Sequence, residues 1–208
     1  MENLDGTANA KAKYSFIMRK EGHACLFASS LADGPFPEHY EPLESPVVNS
    51  MSKTDKNPVI KIWRREEIGV REKFPIVATT YRVTEHWQAG AMTRNIPWLV
   101  ELQPDAFMEM SGELAEEKGI SNGDMVTVKT QRGEIDVYAL VTPRLRPFKI
   151  HGETVHQIGL IWHFGYTGLA TGASANELTP HVGDANTMIP EFKAFLCDVV
   201  PAEKGGTA

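Results

Sequence analysis

Cysteine is scarce in this chain: Cys25 and Cys197 are the only two, and their separation fits no zinc or iron–sulfur ligand spacing. Cys197, in the apolar run Phe195-Leu196-Cys197-Asp198-Val199-Val200, reads as a small buried thiol, and Cys25 in Cys25-Leu26-Phe27-Ala28 reads the same way. A disulfide between the two stays open. No run approaches the roughly 20 apolar residues of a membrane span, so no direct membrane segment is expected. Basic residues are in deficit, 21 Lys and Arg against 27 Asp and Glu, which argues against a nucleic-acid surface. A local cluster of Arg and Lys can still attract a small anion against that global balance. The opening residues Met1-Glu2-Asn3-Leu4-Asp5-Gly6 lack the charged-then-apolar pattern of an export leader, and look like a cut made inside a longer protein.

The common catalytic fingerprints are missing too. Neither Gly-Lys-Ser/Thr nor Gly-x-Gly-x-x-Gly is present, which excludes the P-loop and the dinucleotide-fold fingerprint. Ser174, in Gly172-Ala173-Ser174-Ala175, lacks the glycine two places on that a nucleophile elbow needs. His151, His156 and His163 cluster along the chain, with His86 and His181 further off. No pair has the i, i+4 spacing with an accompanying glutamate that makes a helical zinc site. No metal-ligating and no catalytic residue is assigned, and a zinc hydrolase stays as a distant alternative.

What is present is a β-rich sequence with enough apolar residues, 42%, to bury a core. Residues 1–72 read as an extended segment, because Pro35, Pro37, Pro42 and Pro46 interrupt any period. Such a segment has little to bury alone and is expected to pack on another domain. From residue 73 to 208 the pattern changes. Phe74 to Tyr81 is rich in β-branched and aromatic types and predicts a strand. A short helix from Pro97 to before Pro104 follows, then a strand over Phe107 to Met110. Ser111 and Gly119 are the expected caps of a helix over Gly112 to Lys118. Val126 and Val128, then Ile135 and Val137, alternate with polar residues across Arg132-Gly133, which predicts a half-buried hairpin. Thr154 to Trp162 predicts another strand, and Phe195 to Val200 a last one. Short strands with two brief helices make the fold class mainly β, a compact barrel.

Two stretches fit neither period. One is Tyr81-Arg82-Val83-Thr84-Glu85-His86-Trp87, running on to Thr93-Arg94. The other is Ala175-Asn176-Glu177-Leu178-Thr179-Pro180, running on to Phe192-Lys193. Arg82 offers a planar fork of donors, His86 a ring donor, Trp87 a flat face and Thr93 a hydroxyl, while Gly90 permits a tight turn. The glycine-rich loop from Gly165 to Gly172 either is a surface loop or lets a ligand approach the backbone. Such a mixture suits a large, polar, anionic ligand if the stretches converge.

These residues carry a resemblance. Tyr81 to Arg94, with Asp105-Ala106-Phe107-Met108-Glu109-Met110, Gly119-Ile120-Ser121-Asn122-Gly123-Asp124 and Arg132-Gly133, resembles the C-terminal domain of molybdopterin oxidoreductases of the dimethyl-sulfoxide-reductase class. Ala175 to Asn186, Pro190 to Phe195, and the upstream run Gly34-Pro35-Phe36-Pro37-Glu38-His39-Tyr40-Glu41-Pro42 resemble respiratory formate dehydrogenase large subunits. The resemblance implies a double-psi β-barrel, preceded by the extended Pro-rich segment, that binds bis-(molybdopterin guanine dinucleotide) carrying molybdenum or tungsten. It implies cofactor contacts from Arg82, Glu85, His86, Trp87 and Thr93, the backbone around Val83 and Thr84, His163 and Phe164, and Asn176 and Lys193. Where the family often has His-Thr-Gly after the tryptophan, this chain has Gln88-Ala89-Gly90, which keeps the turn and not the contact.

The resemblance also implies partners. The N-terminal catalytic part of the large subunit would hold the metal ligand, and an iron–sulfur subunit would take the electrons, iron–sulfur clusters lying outside this chain. The implied compartment is periplasmic within a respiratory complex, with a cytoplasmic location as alternative. The chain alone is expected to be inactive. Rival readings are the same domain of a nitrate or polysulfide reductase and a cofactor-free β-barrel interaction module.

Overall fold

The alternation that predicts a hairpin also closes a barrel, because each strand can turn its apolar face inward only if the sheet curls on itself. The computed structural model describes residues 42–48, 61–62, 64–190 and 192–203. Among the described residues ten strands and two α-helices occur in the order β1 (Lys61–Ile62), β2 (Ile76–Tyr81), α1 (Pro97–Leu102), β3 (Phe107–Met110), α2 (Gly112–Lys118), β4 (Met125–Lys129), β5 (Glu134–Val141), β6 (Phe148–Ile150), β7 (Glu153–Val155), β8 (Gln157–Ile161), β9 (Val182–Gly183) and β10 (Phe195–Pro201). Six of them form a closed barrel in the order β10-β2-β8-β3-β5-β4. β2 pairs in parallel with β8, and β3 with β5, while the other barrel pairings are antiparallel. This six-stranded mixed barrel is the mainly β fold expected from the sequence.

Inside lie Ile76, Met108, Met110, Val126, Val128, Val137, Ile158, Leu160, Phe195 and Val199, all buried. Cys197 is a free thiol among them, and burial pushes it well above the usual thiol range. The α2 caps are as expected: the Ser111 hydroxyl accepts from the Leu114 amide, and Gly119 takes the left-handed conformation. α1 starts on Pro97 as expected but buries none of its residues, so Trp98 and Leu102, one turn apart, both face solvent.

One strand differs from expectation. The single strand predicted over 154–162 is two, broken at His156 where the pairing changes from β6 to the barrel strands, and the chain turns tightly before it at His151-Gly152, where φ is +52° and +83°. That turn folds β7 back on β6 as a separate hairpin, and only after His156 does the chain enter the barrel as β8. Of the Pro-rich segment, Pro35 and Pro37 lie outside the described residues, as does Cys25. The described part, 42–48, puts the Glu44 carboxylate into the protein interior, where it meets the Arg132 guanidinium.

Candidate cofactor site at the barrel mouth

Parallel pairing explains how two distant stretches meet. β2 and β8 run side by side with Tyr81 opposite Ile161, so the segments leaving them emerge from the same barrel end. The Trp162 amide donates to the Tyr81 carbonyl at 3.1 Å, and the Arg82 guanidinium lies 5.7 Å from the Trp162 ring centroid. Trp162 in turn stacks on Phe192, with centroids 5.1 Å apart. β10 enters antiparallel to β2 at this same end, which brings Lys193 to Thr80. Its ammonium donates to the Thr80 carbonyl and, at 3.1 Å, to the Thr80 hydroxyl.

Two cations thus share one mouth. Among the described residues neither Arg82 nor Lys193 has a carboxylate partner. Burial, and after it the nearby Arg82 charge, hold the Lys193 ammonium below its usual range. An unpaired Arg beside an unpaired Lys, backed by flat rings, is a place where an anion relieves repulsion.

The first polar stretch is shaped by two histidines. His163, fully buried, accepts from the Val83 amide through Nε2 at 2.9 Å and donates from Nδ1 to the Gln88 carbonyl at 2.6 Å. A backbone amide can only donate, so His163 must be neutral with its proton on Nδ1. His86, buried 6.0 Å from His163 and edge-on to Phe164, donates from Nε2 to the Gln103 carbonyl at 2.8 Å and meets the Thr93 hydroxyl at 3.1 Å. The Thr93 oxygen also takes the Trp87 amide, leaving the Trp87 ring 57% exposed at the mouth. Gly90, at φ +80°, lets the turn pass His163, since a Cβ there would lie 2.0 Å from the His163 carbonyl oxygen.

Burial holds the His163 imidazole below its ordinary value of 6.5. A histidine kept neutral by the fold binds fewer protons folded than unfolded, so its contribution to stability is present above pH 6.5 and is lost as pH falls below it. Thermal melts from pH 7 down to about pH 5 should therefore show a steeper loss in the wild type than in His163→Gln. Equal slopes would place that titration elsewhere.

The structure thus brings Arg82, Val83, Glu85, His86, Trp87, Thr93, His163 and Phe164 together, with Lys193 beside Arg82. Thr84 is exposed on the same stretch. The Val83 amide is occupied by His163 and so is not free for a ligand. Asn176 stands apart, on a cavity of about 420 Å³ whose wall it shares with Thr179, His181, Met188, Pro190 and Phe192. Phe192 joins that cavity to the Arg82–Trp162 stack.

Sequence reasoning missed Trp162 and Phe192, whose signal was a ring directly after a strand and directly before Lys193. It also passed over Arg94. That side chain is buried and donates to the carbonyls of Thr167, Ala170 and Gly165, with its Nε unpartnered. The glycine-rich loop is therefore pinned to the first stretch. His151 sits exposed in the β6–β7 turn, and His156 pairs with Glu117 at 3.1 Å. The described residues hold no group of three or more His, Cys, Asp and Glu able to take a metal ion.

Known proteins resemble this chain. Formate dehydrogenase subunit alpha of Megalodesulfovibrio gigas is 49% identical over 195 residues, which make up 92% of this chain and 19% of that protein. The nitrate-inducible formate dehydrogenase major subunit of Escherichia coli (strain K12) is 45% identical over 196 residues, 90% of this chain and 19% of that subunit. The chain thus spans about a fifth of the length of these relatives. The structure of acetylene hydratase from Pelobacter acetylenicus matches 81% of this chain and 21% of its own with a TM-score of 0.54 at 13% identity, a likeness of fold alone. The family model described as Molydopterin dinucleotide binding domain matches residues 76–196, from the first barrel strand to the last, and the chain belongs to that family.

Proposed function

We propose that this chain is the C-terminal cofactor-binding portion of a formate dehydrogenase large subunit, with residues 1–72 packing on the rest of that subunit and 73–208 forming the binding domain. The observation that carries it is the pair of cations, Arg82 and Lys193, without a carboxylate partner among the described residues and set beside the Trp162–Phe192 stack at one barrel mouth. A pyrophosphate-bearing dinucleotide needs such a set of groups: point charge, planar fork and flat surface. The donor set therefore fits a molybdopterin guanine dinucleotide. Arg82 and Lys193 would meet its phosphates, Asn176 and the cavity beside Phe192 would take its polar and ring parts, and His86, His163 and Thr93 would hold the first stretch in shape. Glu85, Trp87 and Phe164 would complete the wall.

The bound bis-dinucleotide cofactor, with molybdenum or tungsten, supplies the two-electron oxidation of formate to carbon dioxide, the electrons leaving through iron–sulfur clusters. The residues of this chain bind and orient it; none is assigned to move a proton or to ligate the metal. The partners are the catalytic part of the large subunit and an iron–sulfur subunit, and the compartment is the periplasm. Formate is favoured over nitrate or polysulfide because the likeness to formate dehydrogenases runs through 90% or more of the chain. The isolated chain should be inactive toward formate.

The test is metal and pterin analysis of the native complex that contains this chain. Molybdenum or tungsten with a guanine-bearing pterin is expected, while zinc without either would sink the proposal. Coding sequence upstream should contain a Cys-x-x-Cys cluster motif and a selenocysteine or cysteine codon for the metal ligand. Formate turnover by the isolated chain would overturn the claim of inactivity.

A further inference from the structure

Two carboxylate oxygens of one buried side chain hold together much of the second polar stretch. Glu44 has no exposed side-chain surface, and Arg132 only 5%. Oε1 of Glu44 accepts from the Gly69 amide at 2.6 Å and from Arg132 Nη1; Oε2 accepts from the Leu196 amide at 2.7 Å and from Arg132 Nη2 at 3.2 Å. Arg132 spends two further donors on the Leu178 carbonyl, through Nε at 2.8 Å, and on the Glu67 carbonyl at 2.7 Å. Its guanidinium carbon lies 5.9 Å from the Phe195 ring centroid.

The targets of this network are not scattered. Leu178 directly follows the short helical turn Ala175–Glu177 that presents Asn176, and its neighbour Thr179 lines the cavity. Phe195 and Leu196 come one residue after Phe192 and Lys193, at the entry of β10. A single buried ion pair therefore ties together the two places from which the second stretch reaches the site. We infer that Glu44 and Arg132 are positioning residues, a joint that fixes the spacing between Asn176 and Lys193. The inference rests on the reading that these two side chains hold the dinucleotide. The ligand-binding geometry then depends on a carboxylate supplied by the Pro-rich segment, outside the barrel strands.

An ion pair held this way is tight for a physical reason. A buried carboxylate is stable only if its lone pairs are filled, and here four donors fill them. Losing its charge leaves the Arg132 guanidinium buried without a counter-charge. The guanidinium must then turn toward water, and cannot do so while still bound to both Leu178 and Glu67.

The test is Glu44→Gln in the full chain, with Arg132→Lys as a second variant that keeps the charge and loses the fork. Ile120→Ala is the control, because Ile120 is a core residue before the turn at the opposite end of the β4–β5 hairpin. In both test variants amide hydrogen exchange should speed about ten-fold or more in two segments together, 174–179 and 192–196, relative to β3 and β5. The control, at a comparable loss of melting temperature, should speed neither segment preferentially. Titration with guanosine diphosphate should show about ten-fold weaker binding in Glu44→Gln than in the control, although Arg82 and Lys193 are intact. Exchange that stays uniform, or rises in one segment alone, refutes the joint. Failure of the wild-type chain to bind guanosine diphosphate counts against the dinucleotide reading instead, and the exchange result still decides the joint.

Discussion

Replacing Arg82 and Lys193 together with alanine should cut retention of the dinucleotide by about a hundred-fold, while leaving the barrel as stable as before. A hydrogen bond to a charged group is worth about 1.5–3 kcal/mol, and two such groups are removed; partial exposure of both puts the sum near the lower end. Neither side chain packs in the barrel core, so the melting temperature should hold. The loss should also depend on salt: wild-type affinity for guanosine diphosphate should fall with ionic strength, and that of the double variant should hardly change. A shallower loss is expected for Lys193→Ala alone, because Arg82 then no longer repels a neighbour. If the double variant retains pterin and metal like the wild type, the cation pair is not the binding site.

Gly90→Ala is the second large effect, and it acts on the fold. The left-handed conformation alone costs a non-glycine residue about 1–2 kcal/mol. At Gly90 the added Cβ would also come within 2.0 Å of the His163 carbonyl oxygen, an atom of the backbone that cannot swing aside. The segment carrying His163, just past β8, would have to move, and with it the bonds from His163 to Val83 and Gln88. A loss above about 3 kcal/mol is expected, a fall of roughly 10 °C in melting temperature. Gly123→Ala isolates the conformational part, since Gly123 has φ +89° and nothing within 4 Å of its would-be Cβ. Equal destabilisation by the two substitutions would show that contact with His163 contributes nothing.

The local parts of this structure were legible because their causes are local. Ser111 and Gly119 cap a helix by their own chemistry, and the alternation of Val126 and Val128 against Ile135 and Val137 has one solution around Arg132-Gly133. The polar stretches stood out for the opposite reason: they satisfied no period, which made ligand contact the expectation. What could not be read was the register that joins distant segments. Nothing near Trp162 announces that β8 lies parallel to β2, yet that pairing alone puts its ring under Arg82. His163 was expected as a contact to the cofactor, and its role as the clip for Val83 and Gln88 exists only in three dimensions. Glu44 is the extreme case. It lies among prolines and other acids, where a carboxylate is expected to be solvated, and its burial depends on an arginine in a distant turn.

The closure of the barrel limits how this domain can meet anything else. Every barrel strand has hydrogen-bonded neighbours on both sides, so none offers an edge on which another chain could extend the sheet. Added strands and fibrillar stacking are thereby closed to its six main strands. Association with the barrel itself is left to side chains, and Trp98 and Leu102 stand exposed on α1. A surface of that kind selects its partner by shape, and it can be released without opening a single rung of the sheet.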